Sequence, residues 1–207
     1  GIQALLEQAK SPNVVGFALA KSSEDTFIAD VLPAYLDGEP RRLDFAFGFI
    51  WARYYPDGWH WVDENLSRCE TTTQKANFLR SLRFSRSVWD RAEAAGDDVA
   101  RSYWSTCRAF NPQLESQDVE AAVQKLIQHM RPADILDLLS MALHQKRELS
   151  AETLLRPLEA LLELPAGESQ DQLQRLDAHD MQSVIEELQG RDDIDQDRLV
   201  RIEWHFI

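Results

Sequence analysis

The sequence has few cysteines and no long apolar run, and each shortage excludes a class of protein. Its two cysteines, Cys69 and Cys107, are too few for the disulfide framework of a small secreted domain, so we expect a reduced, cytoplasmic chain. The longest apolar runs, 14–20 and 45–52, fall far short of the ~18 residues that cross a membrane. We therefore expect no membrane-spanning segment.

The sequence also lacks the motifs that hold nucleotides and metals. Its eight glycines are scattered singly, and no G-x-x-x-x-G-K-[ST] loop is present to bind phosphates. Asp193, Asp195 and Asp197 begin like a calcium loop, but Arg198 stands where the loop needs glycine and Trp204 where it needs a bidentate glutamate. The five histidines form no H-E-x-x-H site. We therefore expect neither a cofactor nor a metal.

Strand signals are scarce, whereas helical spacing of apolar residues runs through the chain. No Asn-Gly or Asp-Gly turn joins two alternating β-branched runs. The clearest helix carries apolar residues at i, i+3, i+4, i+7, i+8 and i+11: Val119, Ala122, Val123, Leu126, Ile127 and Met130. The next predicted helix, which follows Arg131-Pro132, carries the same apolar stripe. This pattern predicts an all-α fold of antiparallel helix pairs joined by short loops.

Helix ends are marked by capping motifs and turn residues. Thr71-x-x-Gln74 and Ser169-x-x-Gln172 have the form of capping boxes, and Asp193-x-x-Gln196 predicts a cap for the last helix. A helix is predicted over 24–36. Another is predicted over 41–55, ended by the turn residues 56–58.

Gly48 falls inside the predicted helix 41–55, where a glycine is otherwise unfavourable. A glycine in that position predicts that a neighbouring helix approaches closely.

The predicted helix pairs recur about every 35–45 residues, the period of two-helix solenoid repeats. The pair over 119–143, with a proline opening its second helix, resembles a HEAT or TPR-like unit, and 85–107 resembles one more loosely. This resemblance implies an α-solenoid-like stack over 67–207. We expect a single helical domain over 1–207, with a more irregular helical part over 1–66.

The tail GRDDIDQDRLVRIEWHFI is similar to helical segments of large bacterial multidomain proteins, some of them ATPase-linked signalling or defence proteins. The chain opens at Gly1 without a methionine and stops inside an apolar helical pattern, whereas natural termini are usually polar. These features predict a fragment of a longer bacterial polypeptide.

The aromatic-rich stretch 45–61 is the best candidate contact surface, because interfaces concentrate tryptophan, tyrosine and arginine. We predict a non-catalytic helical-repeat module that binds a protein or peptide partner, or other domains of the same polypeptide. The candidate binding residues are Trp51, Arg53, Tyr54, Trp59, Trp61, Arg80 and Arg83.

Two alternatives remain open. The first is nucleic-acid binding by the arginine-rich segment 75–108, which holds seven basic residues against four acidic ones. The net charge of −13 opposes it, and the same arginines can instead lie over aromatic rings and meet acidic neighbours. The second is a helical hydrolase or lyase that uses His60 with Asp63 or Glu64 for proton transfer.

Overall fold

The computed structural model describes residues 1–22, 32–163 and 177–206 of the chain. These residues are largely helical and contain no strand, which confirms the predicted all-α fold. Residues 32–36 are helical, and the longer helices are α1 (Ile2–Gln8), α2 (Pro12–Ser22), α3 (Pro40–Ser67), α4 (Thr72–Arg80), α5 (Arg86–Ala94), α6 (Asp97–Thr106), α7 (Ser116–Gln128), α8 (Pro132–His144), α9 (Ala151–Glu163), α10 (Ala178–Gln189) and α11 (Gln196–Phe206). Over the described ranges, no helix is both long and apolar enough to cross a membrane.

The chain divides into two compact units, Gly1–Thr106 and Cys107–Ile207. In the first unit, α2 lies along α3, and α4 packs against α3, α5 and α6. In the second unit, α8 packs against α7, α9 and α10, and α9 also packs against α11. The single domain over 1–207 and its subdivision after residue 66 stay predictions.

The start of α4 is fixed by the capping box that the sequence predicts. The Thr71 hydroxyl accepts a hydrogen bond from the Gln74 backbone N–H at 3.1 Å, and the Gln74 side chain accepts one from the Thr71 N–H at 3.3 Å. Both side chains also donate to the Asp37 carboxylate, at 3.0 and 2.6 Å. The box therefore caps the helix and ties it to an earlier part of the first unit.

Two glycines let α2 and α3 touch through their backbones. A Cβ built on Gly48 would lie 1.9 Å from the carbonyl oxygen of Asn13, and one built on Gly16 would lie 2.0 Å from that of Phe45. Real Cβ atoms do not approach an oxygen so closely, so only glycine fits at either position. The predicted close approach at Gly48 is confirmed.

Helix α3 is interrupted where the sequence predicts a turn, and it resumes immediately afterwards. Pro56 lies inside the helix, and the backbone departs from helical geometry at Gly58, with φ 67° and ψ −159°. Proline removes one backbone donor without forcing the chain to turn back, so the segment bends at Gly58 and remains helical to Ser67. The predicted interruption at 56–58 is confirmed at Gly58, and the first helical part extends slightly beyond the predicted end at residue 55.

The last helix has a different cap from the predicted one. The Asp195 carboxylate accepts from the backbone N–H groups of Asp197 and Arg198, at 3.0 and 3.4 Å. Asp193 instead holds the guanidinium of Arg191 through two bonds of 2.8 and 2.9 Å. Asp193 is thus wrong as the capping residue, because its carboxylate is engaged by a cation two positions away.

The predicted box at 169–172 and most of the predicted helix 24–36 lie outside the described residues.

The second unit buries an ion pair at the start of α8. Arg131 has 8% of its surface exposed and pairs with Asp134 through contacts of 3.0 and 2.9 Å. A third nitrogen donates to the sulfur of buried Cys107 at 3.4 Å. These contacts compensate the cost of burying a guanidinium.

Candidate binding surface

The aromatic stretch of α3 separates into two rows of rings. In the first row, Trp61 lies between Phe49 and Phe78, with ring centroids 6.4 and 6.0 Å away. Phe49 and Phe78 are buried, so this row packs α3 against α4. Trp61 is itself half-buried and packs one side of its ring against these two interior residues.

The second row contains three of the predicted binding residues. The ring centroids of Trp51 and Tyr54 are 6.5 Å apart, and those of Tyr54 and Trp59 are 4.9 Å apart. All three side chains are half-buried. The row ends under Arg91 of α5, whose guanidinium carbon lies 4.0 Å from the centroid of the Trp59 ring. The structure therefore brings Trp51, Tyr54 and Trp59 together.

Arg91 also binds the carboxylate of Asp63, which lies three residues after His60. Its Nε and Nη2 donate to the two carboxylate oxygens of Asp63, at 2.6 and 2.9 Å. These hydrogen bonds hold the pKa of Asp63 below its ordinary value, against a smaller opposing effect of burial. Glu64 is paired with Arg68 at 2.7 Å, and His60 is exposed. Both carboxylates are therefore paired with arginines, and proton transfer by this group stays a prediction.

A groove of about 330 Å³ lies between α2 and α3, next to the second row of rings. Its lining residues are Asn13, Val14, Phe17, Phe47, Gly48, Trp51 and Ser81. Val14 is 61% exposed and Phe17 is 37% exposed, so two apolar side chains one helical turn apart meet solvent at this groove. Among these described lining residues, none carries a carboxylate. We call this feature the α2–α3 groove.

Two cationic groups lie over aromatic walls of the α2–α3 groove. Lys21 Nζ is 4.3 Å from the centroid of Phe17, and the guanidinium carbon of Arg80 is 5.9 Å from that of Phe47. Arg80 also donates to the Asn77 side chain at 2.8 Å. The predicted residue Arg80 is therefore placed next to the groove that Trp51 lines.

The other two predicted arginines have different surroundings. Arg53 pairs with Asp57 one turn along α3, at 2.9 Å, and its side chain is 18% exposed. Arg83 is exposed in the segment between α4 and α5. Arg53 is thus engaged on its own helix.

Three further arginines of segment 75–108 also make contacts within their units. Arg86 lies over the ring of Trp89 at 5.3 Å, and Arg101 pairs with Asp98 at 3.4 Å. In the second unit, Arg108 lies over its near neighbour Phe110. Such contacts leave the guanidinium groups partly accessible, so nucleic-acid binding by this segment stays a prediction.

The second unit has a more polar groove between α7 and α9. Ile127 lines it, together with glutamates that already accept hydrogen bonds from the same unit. Glu120 accepts from the Ser150 backbone N–H at 3.2 Å, and Arg198 donates to Glu152 and Glu159 at 2.7 Å each. These bonds lower the pKa of Glu159 and attach α11 to α9. The groove walls are therefore held by intrachain ion pairs.

Val14, Phe17 and Lys21 are surface residues that the sequence pattern does not identify. Their spacing of three and four residues is that of one helix face, but the same spacing marks a buried face equally well. In the part of the chain that the structure describes, no group of three or more histidine, cysteine, aspartate or glutamate residues could hold a metal.

Comparisons with family models, curated proteins and solved structures give no match to this chain.

Proposed function

We propose that the first unit is a non-catalytic module that binds a protein or peptide segment in the α2–α3 groove. The observation that carries this proposal is the exposure of Val14 and Phe17 in the groove that Trp51 also lines. Leaving apolar side chains in water is unfavourable, and a partner that covers them gains that free energy on binding.

The shape of the groove fits an inserted side chain. Gly48 contributes no side chain to it, and the close contact of Gly48 with the Asn13 carbonyl brings the α2 wall next to the α3 wall that carries Trp51. Binding energy in interfaces concentrates in such pockets, where a few aromatic residues become fully desolvated. The adjoining rings of Tyr54 and Trp59 extend the apolar surface beyond the groove.

The wider architecture proposed for the chain is a HEAT/TPR-like stack within a larger bacterial, cytoplasmic protein. Packing of α8 against both of its neighbours in sequence, α7 and α9, supports such stacking in the second unit. In that setting the module acts as a scaffold or sensor arm, and its partner is another protein or another domain of the same polypeptide.

Peptide selection tests the proposed function. A random peptide library displayed on phage would be selected on the immobilised chain, and selected peptides would be measured against Trp51→Ala and Phe17→Ala. We expect each substitution to weaken binding at least tenfold. Tyr55→Ala is the matched control, because Tyr55 is 81% exposed on α3 and does not line the groove. Failure to select any peptide, or equal binding to Trp51→Ala, would contradict the proposal.

A further inference from the structure

We propose that α11 carries a self-association surface, which pairs in antiparallel orientation with α11 of a second copy of this chain. The evidence is an exposed apolar patch that shares its face of α11 with one acidic and one basic side chain. This surface belongs to the second unit, and the inference does not depend on the function proposed for the α2–α3 groove.

Helix α11 has two apolar faces. Its inner face carries Leu199 and Ile202, which are buried where α11 packs in the second unit. Its outer face carries Val200, which is 58% exposed, and Trp204, which is 89% exposed. At 3.6 residues per turn the two faces lie on opposite sides of the helix axis. Packing within the unit uses only the inner face, so the outer face is available for contact with another molecule.

Two opposite charges share the outer face with this apolar pair. Asp197 lies one turn before Val200, and Arg201 lies one turn before Trp204. At about 100° per residue, these four side chains fall within an arc of about 100° around the axis. Both charged side chains are exposed. The outer face is therefore acidic in its first turn and basic one turn later.

The strongest ion pairs of α11 use a different side chain. Arg198 donates to both carboxylate oxygens of Glu159 at 2.7 Å, and to Glu152 at 2.7 Å. The hydrogen bonds from Arg198 lower the pKa of Glu159, and the charge of Arg201 adds a coulombic effect in the same direction. Because Glu159 is held at both oxygens by Arg198, Arg201 keeps its exposure on the outer face.

The order of these charges along the helix favours an antiparallel second copy. Asp197 and Arg201 lie two residues on either side of position 199. A two-fold axis at that level therefore brings Arg201 of each copy opposite Asp197 of the other, so that one surface supplies both halves of two ion pairs. A parallel pair of helices would instead oppose like charges.

The same two-fold axis accounts for the apolar residues. Val200 lies one residue from the axis, so the Val200 side chains of the two copies meet at the centre. Each Trp204 indole then covers the N-terminal end of α11 in the other copy. Burying both indoles removes roughly 400 Å² of surface from water. The whole interface stays below about 1,200 Å², which is the range of weak complexes.

Sedimentation velocity of the full chain over a range of concentrations tests the proposal. We expect a dimer at about 300 µM and a monomer at about 3 µM, as for an interface of this size. Trp204→Ala should raise the dissociation constant of the dimer at least tenfold. Tyr55→Ala is the matched control, because Tyr55 is also a highly exposed aromatic residue but lies on α3 in the first unit.

Charge reversal tests the antiparallel arrangement. Asp197→Arg and Arg201→Asp should each weaken the dimer at least threefold, because each variant faces a like charge in its own second copy. An equimolar mixture of the two variants recovers opposite charges at both pairs and should regain the parent affinity. Asp98→Arg is the control, because it reverses an exposed charge in the first turn of α6.

The outcomes decide between a second copy and another occupant. A monomer at every concentration overturns the proposal and leaves the outer face of α11 to a different protein or segment. A dimer that ignores Trp204→Ala uses another surface and overturns it as well. A mixture of charge variants no tighter than either variant alone overturns the antiparallel arrangement. Circular dichroism establishes that the variants fold, and Trp204→Ala decides the role of α11 if a charge variant does not.

Discussion

Gly48 of α3 faces the carbonyl oxygen of Asn13 in α2 so closely that a methyl group cannot fit between them. Gly16 makes the equivalent contact from α2, against the carbonyl oxygen of Phe45. The crossing of the two helices, and with it the floor of the α2–α3 groove, therefore depends on two absent side chains.

Gly48→Ala should lower the free energy of unfolding by about 3 kcal/mol, because the new Cβ forces two helix backbones apart. Gly190→Ala is the matched control. Gly190 has φ −80°, and its Cβ would meet nothing closer than 3.7 Å, so we expect a change within about 0.5 kcal/mol. Urea denaturation followed by circular dichroism measures both. A Gly48→Ala chain as stable as the parent would contradict the described crossing.

Asp134→Asn should destabilise the second unit by about 3 kcal/mol, because it removes a carboxylate charge that pairs with the buried guanidinium of Arg131. Asp98→Asn removes the carboxylate from a pair whose side chains are 78% and 70% exposed, and it should cost less than about 0.5 kcal/mol. Denaturation curves of the two variants provide the comparison. Similar losses in both would show that burial of the Arg131 pair has no energetic consequence.

Arg91→Gln should raise the pKa of Asp63 toward its ordinary value of about 3.9. In the parent chain the Arg91 hydrogen bonds lower this pKa in the folded state, so the pair's stabilisation is present above the ordinary value. That stabilisation is lost as the pH falls through the lowered pKa. Because Asp63 is 54% exposed, we expect the pair to contribute only about 0.5 kcal/mol to the free energy of unfolding.

Carbon-13 NMR of the Asp63 carboxyl group over a pH titration measures this change. Arg101→Gln, at the exposed Asp98 pair, serves as the control and should leave the Asp63 titration unchanged. An Asp63 pKa that is the same in the parent and in Arg91→Gln would contradict the assigned pair.

The two thiols should react slowly with a disulfide reagent such as DTNB at pH 8 while the chain is folded. Burial raises the pKa of Cys69 to about 11, so its thiol stays protonated, and Cys107 is 2% exposed. Both should react rapidly in guanidinium chloride. A fast-reacting thiol in the folded chain would show that one of these cysteines is accessible.

Gly58→Ala should lower the free energy of unfolding by about 2 kcal/mol, for a reason different from that at Gly48. Nothing lies within 4 Å of a Cβ at Gly58, but φ 67° with ψ −159° is a region that only glycine readily adopts. A D-alanine placed there by peptide ligation accepts that backbone geometry and should retain the stability of the parent. Equal destabilisation by both forms of alanine would indicate a steric cause.

Local features of the fold were predictable because they depend on residues close in sequence. The capping box at Thr71 and the stripe that begins at Val119 follow from spacings of three and four residues. The cap of α11 was assigned to Asp193 because Asp193-x-x-Gln196 resembles a box. The sequence does not reveal that Arg191 engages Asp193 and leaves Asp195 to cap the helix.

The candidate surface was predictable only in part. Trp51, Tyr54 and Trp59 lie together, whereas Trp61, which is equally half-buried, packs against the buried Phe49 and Phe78. The presence of a tryptophan in the sequence does not show which neighbours its ring will contact, because tertiary packing decides those contacts. Val14 and Phe17 were missed because helical spacing does not distinguish an apolar face that is buried from one that stays open.

The break at Gly58 sets the rotational phase between the two parts of α3. At 3.6 residues per turn, an uninterrupted helix would place Trp59 about 140° around the axis from Tyr54, on a different side. The break instead brings their rings to 4.9 Å and places the Trp59 indole under Arg91. One residue inserted ahead of Gly58 would turn Trp51 and Tyr54 out of alignment with Trp59, so the spacing before this glycine is as constrained as the aromatic residues themselves.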